Sequence, residues 1–454
     1  MKLRSFAARK DTDMTAGSIP RHLLLFALPL FAGNVFQQLY NTVDSVIVGN
    51  YVGKEALAAI GCTASIINTF ISFFSGLSSG AGVIISNYYG AKDRKNLRLS
   101  VHTFLFLTIV LCAVITSLGV LFTPALLKMM KTPADVFQEG VVYLRIYFYG
   151  VSGLLLYNTG AGILRAVGDS SRPLYVLIFC ALTNTVLDVF FVKTLGWGVA
   201  GAAWATIIAQ ALSAAIVLAM LTASESDYRL SMHELKPSRG VLGAITSIGM
   251  PSAIQMAVTA FSNVFVQSYV NRFGSSYMAG WAAYEKIDSF AMQPMNSLSL
   301  AMTTFVGQNF GAGKVDRVRS GPRYGLLIGF VIMILLIPPL IVFAPQLVSL
   351  FNREAEVIQF GTYFIRTISL FYFALCINQV FSGMLRGGGD TVPTMIIMLF
   401  SFVAFRQVYL FTVYRLGLGI RAITLGYPVG WMMCSTLLLI YYYTRGRKRT
   451  SIHG

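Results

Sequence analysis

Five polar side chains break the first apolar stretch of this chain at helical intervals. Asn34, Gln37, Gln38, Asn41 and Asp44 recur at steps of three and four, so they line one face of a helix. That helix begins near Ile19 and is long enough to cross a bilayer, which places a carboxylate well inside it. An ionisable group at such depth costs about 2.5–3.5 kcal/mol on insertion scales and faces a protein cavity rather than lipid. A seam of amides alone is what helix–helix glue looks like; the carboxylate makes Asp44 a candidate half of an ion-coupling site. A second acid has a similar setting. Asn184 and Asp188 stand four residues apart on one face of a later apolar stretch, and Asp188 is the only acid there.

The elements that must hold these groups follow from composition. Of 454 residues, 56% are hydrophobic and 12% charged, against about 25% charged in a soluble protein. Apolar segments of spanning length recur along the whole chain, leaving no room for a sizeable soluble domain. The basic stretch before residue 20 resembles a signal peptide, but the run after it is too long and lacks a small-residue cleavage pattern, so it reads as a retained first helix. The net charge of +17 invites a nucleic-acid reading that its distribution answers. One set of loops and tails, from Lys2 through Lys92–Arg98, Arg229–Arg239 and Lys314–Arg323 to Arg449, carries 23 basic residues. The alternate loops carry 8: Lys54, Lys128, Lys131, Lys193, Arg272, Arg353, Arg415 and Arg421. Arg145, Lys286, Arg366 and Arg406 fall in or near helices. This asymmetry puts both termini in the cytoplasm of a multi-pass cell (inner) membrane protein, with lipid and no nucleic acid as surroundings. Cys62, Cys112, Cys180, Cys376 and Cys434 show no metal or redox spacing and read as packing residues.

Twelve spanning helices are expected, at 19–48, 55–85, 98–122, 136–160, 172–194 and 198–222, then 241–270, 276–306, 322–345, 356–382, 391–415 and 420–444. The longest polar interruption, 223–240, falls at mid-chain, giving lobes 1–222 and 241–454 joined by a cytoplasmic linker. The halves repeat at an offset of 221: Gly53 with Gly274, Gly90-Ala91 with Gly311-Ala312, Arg98 with Arg319, Arg145 with Arg366, and Leu164-Arg165-x-x-Gly168-Asp169 with Leu385-Arg386-x-x-Gly389-Asp390. Six helices per copy keep both copies in one orientation. The fold class is therefore an all-α integral membrane protein, with two six-helix lobes related by a pseudo-two-fold axis along the membrane normal.

At this point the chain resembles the MATE (multidrug and toxic compound extrusion) family over essentially its whole length. The resemblance rests on the Pro29…Asp44 helix, the Asn87-Tyr-Tyr-Gly90-Ala91 and Gln308-Asn-Phe-Gly311-Ala312 helix ends, and the paired Leu-Arg-x-x-Gly-Asp loops. It implies a secondary active antiporter that exports amphipathic, often cationic drugs and toxic compounds in exchange for H+ or Na+. It also implies a cation site in the N-terminal lobe, carried over to Asp44, Asn184, Asp188 and Thr206, with Tyr143 and Asn158 as weaker matches. Another branch uses a Glu on helix 7 and an Asp on helix 10; here the first reads Gln255 and the second has no acid, which favours the DinF-type branch. Two acids facing one dry cavity repel unless they share a proton or a transient Na+, for which Thr206 supplies a hydroxyl oxygen. No other cofactor and no structural metal is expected, and the chain is expected to act as a monomer. Pro29 permits a kink in helix 1, and the resemblance implies that protonation bends that helix.

The expected substrate cavity draws on Asn34, Gln37, Gln38, Asn41, Gln255, Glu285, Asp288 and Met292. The last three share a face that is either an anionic patch for a lipophilic cation or is compensated by Lys286. Gly196-Trp-Gly198-Val-Ala-Gly201 fits a dinucleotide pattern but joins two membrane helices, where close packing explains it. No ATP-binding loop is present. An enzyme would need a catalytic polar cluster near one interface, and none is found. The alternative in the same superfamily, a flippase for lipid-linked glycan precursors, would want extra helices and a strongly cationic cavity.

Overall fold

In a computed structural model the chain is described over residues 12–130 and 132–446, and these residues contain no strand. Lys2, Arg4, Arg9, Lys10, Lys131, Arg447, Lys448 and Arg449 of the charge count lie outside the described residues. The helices are α1 (Ile19–Tyr51), α2 (Lys54–Gly90), α3 (Arg94–Met129), α4 (Ala134–Ala166), α5 (Ser171–Thr194) and α6 (Gly198–Ala223). After the linker come α7 (Arg239–Phe273), α8 (Ser275–Ala291 with Gln293–Gly311), α9 (Val315–Val342), α10 (Ala355–Ser369 with Tyr372–Gly387), α11 (Thr391–Arg415) and α12 (Gly419–Arg445). Among the described residues ten are long and apolar enough to span, and α10 makes an eleventh as a pair bent by 51°. The twelfth passage is α8, made more polar by Glu285, Lys286 and Asp288.

Two helices expected to be continuous are broken. α8 stops at Ala291 and restarts at Gln293, because Pro294 in the first turn of the second segment has no N–H to give the segment before it. Met292 sits at this break, still one helical turn after Asp288, whose carbonyl accepts its N–H at 2.9 Å. α5 and α11 each contain a π-helical stretch, Val189–Thr194 and Phe400–Phe405. The first follows Asp188 and the second precedes Arg406.

The duplication is written into the loops. Left-handed backbone occurs at Gly53 and Gly274, Lys92 and Gly313, Gly168 and Gly389, Gly196 and Gly417, Gly198 and Gly419, each pair 221 apart. The Gly-x-Gly at 196–198 is thus a turn that recurs at 417–419. Helix crossings repeat as well. A Cβ on Gly162 would meet Ser78 Oγ at 3.0 Å, and one on Gly383 would meet the Ser299 carbonyl at 2.4 Å; Ser299 is 221 residues after Ser78.

By contacts the chain divides into two units, but not at 223–240. One takes Ala32–Met250; the other takes Met14–Phe31 together with the chain from Pro251 onward. α1 and α7 therefore each change unit within a residue or two of a proline, Pro29 and Pro251. The reason is burial of their first turns. Leu23, Phe26 and Leu30 are packed in one core with Trp281, Phe305 and Phe364. Val241 and Ile245 are packed with Leu97, Val101 and Phe104 in another.

The segments leading into both helices are tied down by polar contacts. Before α1, Met14 is fully buried; its N–H donates to Gln308 Oε1 at 3.0 Å and its carbonyl accepts from Arg317 Nη2 at 3.0 Å. Lys314 Nζ donates to the Thr15 carbonyl at 2.7 Å. Before α7, Ser231 N–H donates to His102 Nε2 at 3.0 Å, Ser238 N–H to Thr103 Oγ1 at 3.1 Å, and Arg98 pairs with Glu234 at 2.6 Å. Asp93 caps α3 by accepting from the Asn96 N–H, which holds its carboxyl below the usual carboxylate range.

The glycine crossings differ in what can yield. Gly383→Ala drives a methyl into backbone and should lower the thermal unfolding midpoint of the purified protein in detergent, at a cost of about 1–3 kcal/mol. Gly162→Ala meets only a hydroxyl that can rotate, and should leave that midpoint nearly unchanged.

Candidate functional site

Four helices of the first unit supply the site. α1 carries Asp44 one turn beyond Tyr40; α4 carries Tyr143 and Tyr147; α5 brings Asn184 and Asp188 to the start of its π stretch; α6 carries Thr206 and Gln210. Asp188 is 0% exposed, Asn184 3% and Tyr143 5%. A π stretch widens the helix by one residue per turn and re-aims neighbouring side chains, a feature that recurs at functional sites.

The two acids lie within electrostatic range. The charge of Asp44 acts on Asp188, and both act on the Tyr143 hydroxyl. Neither carboxylate is satisfied: both oxygens of Asp188 and Oδ1 of Asp44 are buried with no hydrogen-bond partner. The Asn184 amide nitrogen is also buried and unpartnered, as is the Gln210 carbonyl oxygen. Buried polar atoms in folded proteins are nearly always paired, and each orphan costs about 1–3 kcal/mol. Five orphan atoms in one unit, three of them on like-charged carboxylates, make a place that a cation would stabilise. A proton can bind a carboxylate directly. A Na+ needs hard oxygens, which Asp44, Asp188 and Gln210 present.

The structure does not gather every expected residue here. Thr206 donates its hydroxyl proton to the Ala202 carbonyl at 3.0 Å, which leaves its oxygen lone pairs open to a cation, as expected of a hydroxyl ligand. Asn158 turns its amide onto Leu154, one helical turn back, at 2.9 Å. On α1, Gln37 lies next to the Tyr40 hydroxyl. Pro29, Gln255, Glu285, Asp288 and Met292 belong to the other unit. There Gln255 is buried and its amide is 3.5 Å from Thr259 on its own helix. Asp288 accepts from the Tyr372 hydroxyl at 2.5 Å. Glu285 and Lys286 feel each other's charge, but no ion pair forms within 4.0 Å between them among the described residues.

Three residues were missed by sequence reasoning. Tyr40 lies beside Asp44 and Tyr147, and Gln210 lies next to the Tyr147 hydroxyl. Tyr147 stacks on Tyr143 with ring centres 6.4 Å apart. The signal was available: each lies four residues from a residue already singled out, on the same helical face.

Known proteins resemble this chain in sequence and in fold. The sequence model of the MatE family matches residues 29–190 and 251–411. The probable multidrug resistance protein YpnP of Bacillus subtilis is 30% identical over 441 residues, covering 95% of this chain and 97% of its own. YoeA of the same organism, also named a probable multidrug resistance protein, is 30% identical over 435 residues, covering 94% of this chain and 93% of its own. Among solved structures, an outward-facing multidrug resistance MATE transporter superposes with a TM-score of 0.90 at 24% identity, covering 98% of this chain and 99% of that one.

Removing one of two repelling, unsolvated charges should relieve strain. Asp188→Asn is expected to raise the unfolding midpoint of the purified protein in ion-free buffer, by the equivalent of about 1–3 kcal/mol. Adding Asp44→Asn should yield less than the sum of the two single changes. Full additivity would show that the two acids do not share one site.

Proposed function

Because the chain belongs to the MATE (multidrug and toxic compound extrusion) family of membrane transporters, which are not enzymes, we propose that it is a secondary active antiporter. It exports amphipathic, often cationic compounds from the cytoplasm in exchange for inward H+ or Na+. The observation that carries this reading is Asp188, buried with neither oxygen bonded, together with the half-buried Asp44, whose Oδ1 is also buried and unbonded. A transporter driven by a cation needs a site that is costly when empty and stable when filled, so that filling it changes the conformational balance. Asn184 and Gln210 complete the site, and Tyr40, Tyr143 and Tyr147 wall it.

The coupling runs through α1. Asp44 lies on the part of this helix that belongs to the first unit, and Pro29 lies beside the point where its contacts pass to the second. A helix missing a backbone bond at that point bends at lower cost than elsewhere. Neutralising the acids removes the repulsion that holds α1 in place and reshapes the cavity lined by Asn34, Gln37, Gln38 and Asn41. Both termini and the 223–240 linker face the cytoplasm, on the side richer in Lys and Arg. The protein works as a monomer in the cell membrane.

Transport by reconstituted vesicles decides the matter. With wild-type protein, a cationic dye such as ethidium should move against an imposed pH or Na+ gradient, and the gradient that works identifies the ion. Asp44→Asn and Asp188→Asn should each slow that movement at least tenfold. Equal rates in all three proteins, or no transport under either gradient, would overturn the proposal.

A further inference from the structure

The linker 223–240 is a fitted part of the first unit. The Tyr228 hydroxyl, on a side chain 1% exposed, accepts from Nη2 of Arg172, also 1% exposed, at 3.1 Å. Leu230 is buried close by and gives its N–H to the Leu221 carbonyl at 3.1 Å. From these anchors the linker reaches the start of α3. Asp227 pairs with Arg94 Nε at 3.1 Å, Glu234 pairs with Arg98 at 2.6 Å, and the Ser231 N–H donates to His102 Nε2. His102 Nδ1 lies 2.7 Å from the Arg98 carbonyl, so both ring nitrogens are occupied.

Between α3 and the linker these contacts frame a pocket of about 810 Å³. Five basic and three acidic side chains line it, an excess of two positive charges. Arg94 and Arg98 are engaged in the pairs above. Lys95, Arg229 and Lys236 have no carboxylate within 4.0 Å among the described residues. Arg229 gives its Nε to the Thr222 carbonyl at 3.1 Å, which leaves its two terminal nitrogens and both ammonium groups with N–H to donate. Lys95 feels the charge of the capping Asp93, and Glu225 is the lining acid that opposes the three. A preference for lysine and arginine on one side of the membrane puts charge into loops; it does not gather three unpaired cations around one cavity. Nor does the duplicated frame supply them, since 221 residues on Arg94 is replaced by Val315 and Lys95 by Asp316.

The pocket has an apolar exit. The face of α3 that brings Lys95, Leu99 and His102 to the lining continues, at steps of three and four, as Phe106, Ile109 and Val110. Ile109 and Val110 are each 43% exposed, so this stripe lies open along the span. The pocket itself stands at the polar end of the helix, where lipid phosphates lie.

We propose that the pocket holds the headgroup of an anionic glycerophospholipid, with its phosphate among Lys95, Arg229 and Lys236 and an acyl chain along Leu99, Phe106 and Ile109. Basic pockets beside spanning helices recognise such headgroups. A soluble phosphate would meet the same cations and leave the apolar stripe uncovered. A zwitterionic lipid would cover the stripe and bring no net charge to the excess of two. The inference needs only that the chain lies in a membrane; it does not depend on Asp44 or Asp188, and its test uses no ion gradient.

Purified full-length protein in a neutral detergent is titrated with dioleoyl phosphatidylglycerol and, separately, with dioleoyl phosphatidylcholine, and bound lipid is counted by native mass spectrometry. The first phosphatidylglycerol should bind with a Kd at least tenfold lower than the first phosphatidylcholine. Lys95→Gln combined with Lys236→Gln should raise the Kd for phosphatidylglycerol at least tenfold and leave that for phosphatidylcholine unchanged. Glu225→Gln removes the opposing charge and should lower the phosphatidylglycerol Kd at least twofold. Lys128→Gln combined with Arg353→Gln takes the same charge from loops elsewhere and should change neither. All five side chains are exposed, so the variants are compared as folded proteins with unchanged unfolding midpoints. Equal affinities for the two lipids, an unchanged Kd without Lys95 and Lys236, or an equal loss without Lys128 and Arg353 would overturn the proposal. Displacement of phosphatidylglycerol by an equal concentration of glycerol phosphate would also overturn it, assigning the pocket to a soluble phosphate.

Discussion

A charge held away from water must be answered by something, and in this protein the helices leave two acids unanswered. Inside a spanning bundle an unbonded buried oxygen is costly, and both oxygens of Asp188 and Oδ1 of Asp44 are left so. Everything around them serves that condition. α4 and α6 close the lobe with small residues at their crossing, where a Cβ on Gly153 would meet the Ala211 backbone at 2.7 Å. Tyr40, Tyr143 and Tyr147 line the acids with groups that can bond an oxygen yet add no charge. The π stretch after Asp188 sets the direction of the second acid.

The duplicated halves keep their frame and part company in chemistry. Five left-handed loop positions recur at one spacing, including Lys92 where the second copy has Gly313. Loop conformation is fixed by sterics that both copies must obey, so it persists. Buried charge is under no such common rule. The first unit concentrates acids, while the second carries Arg406 among neutral partners and ties Asp288 to Tyr372.

α1 and α7 explain how such lobes are tied to the chain. The first turns of each pack into the core of the unit to which the rest of the helix does not belong. The segments leading into them are pinned by Gln308, Lys314 and Arg317 in one case and by Arg98, His102 and Thr103 in the other. Beyond the pinned end of each helix stands a proline, Pro29 or Pro251. A helix that lacks a backbone bond at a proline bends there at lower cost than elsewhere.

Much of this was legible from residues alone. Hydropathy gave the passages, because an apolar solvent demands unbroken apolar helices. The 221-residue register gave the duplication. The placement of Asp44 and Asp188 as lone acids in spanning helices singled them out, because few side chains are so costly there. Contacts distant in sequence decided the rest. The breaks at Met292 and near Leu370 depend on what packs beside each helix. The exchange of first turns depends on which core buries Leu23 and Val241. The isolation of Arg406 is invisible in a sequence, where an arginine in a span gives no sign of whether an acid faces it. A linear chain reports the cost of burying a group; only the folded one reports which neighbours are left to meet that cost.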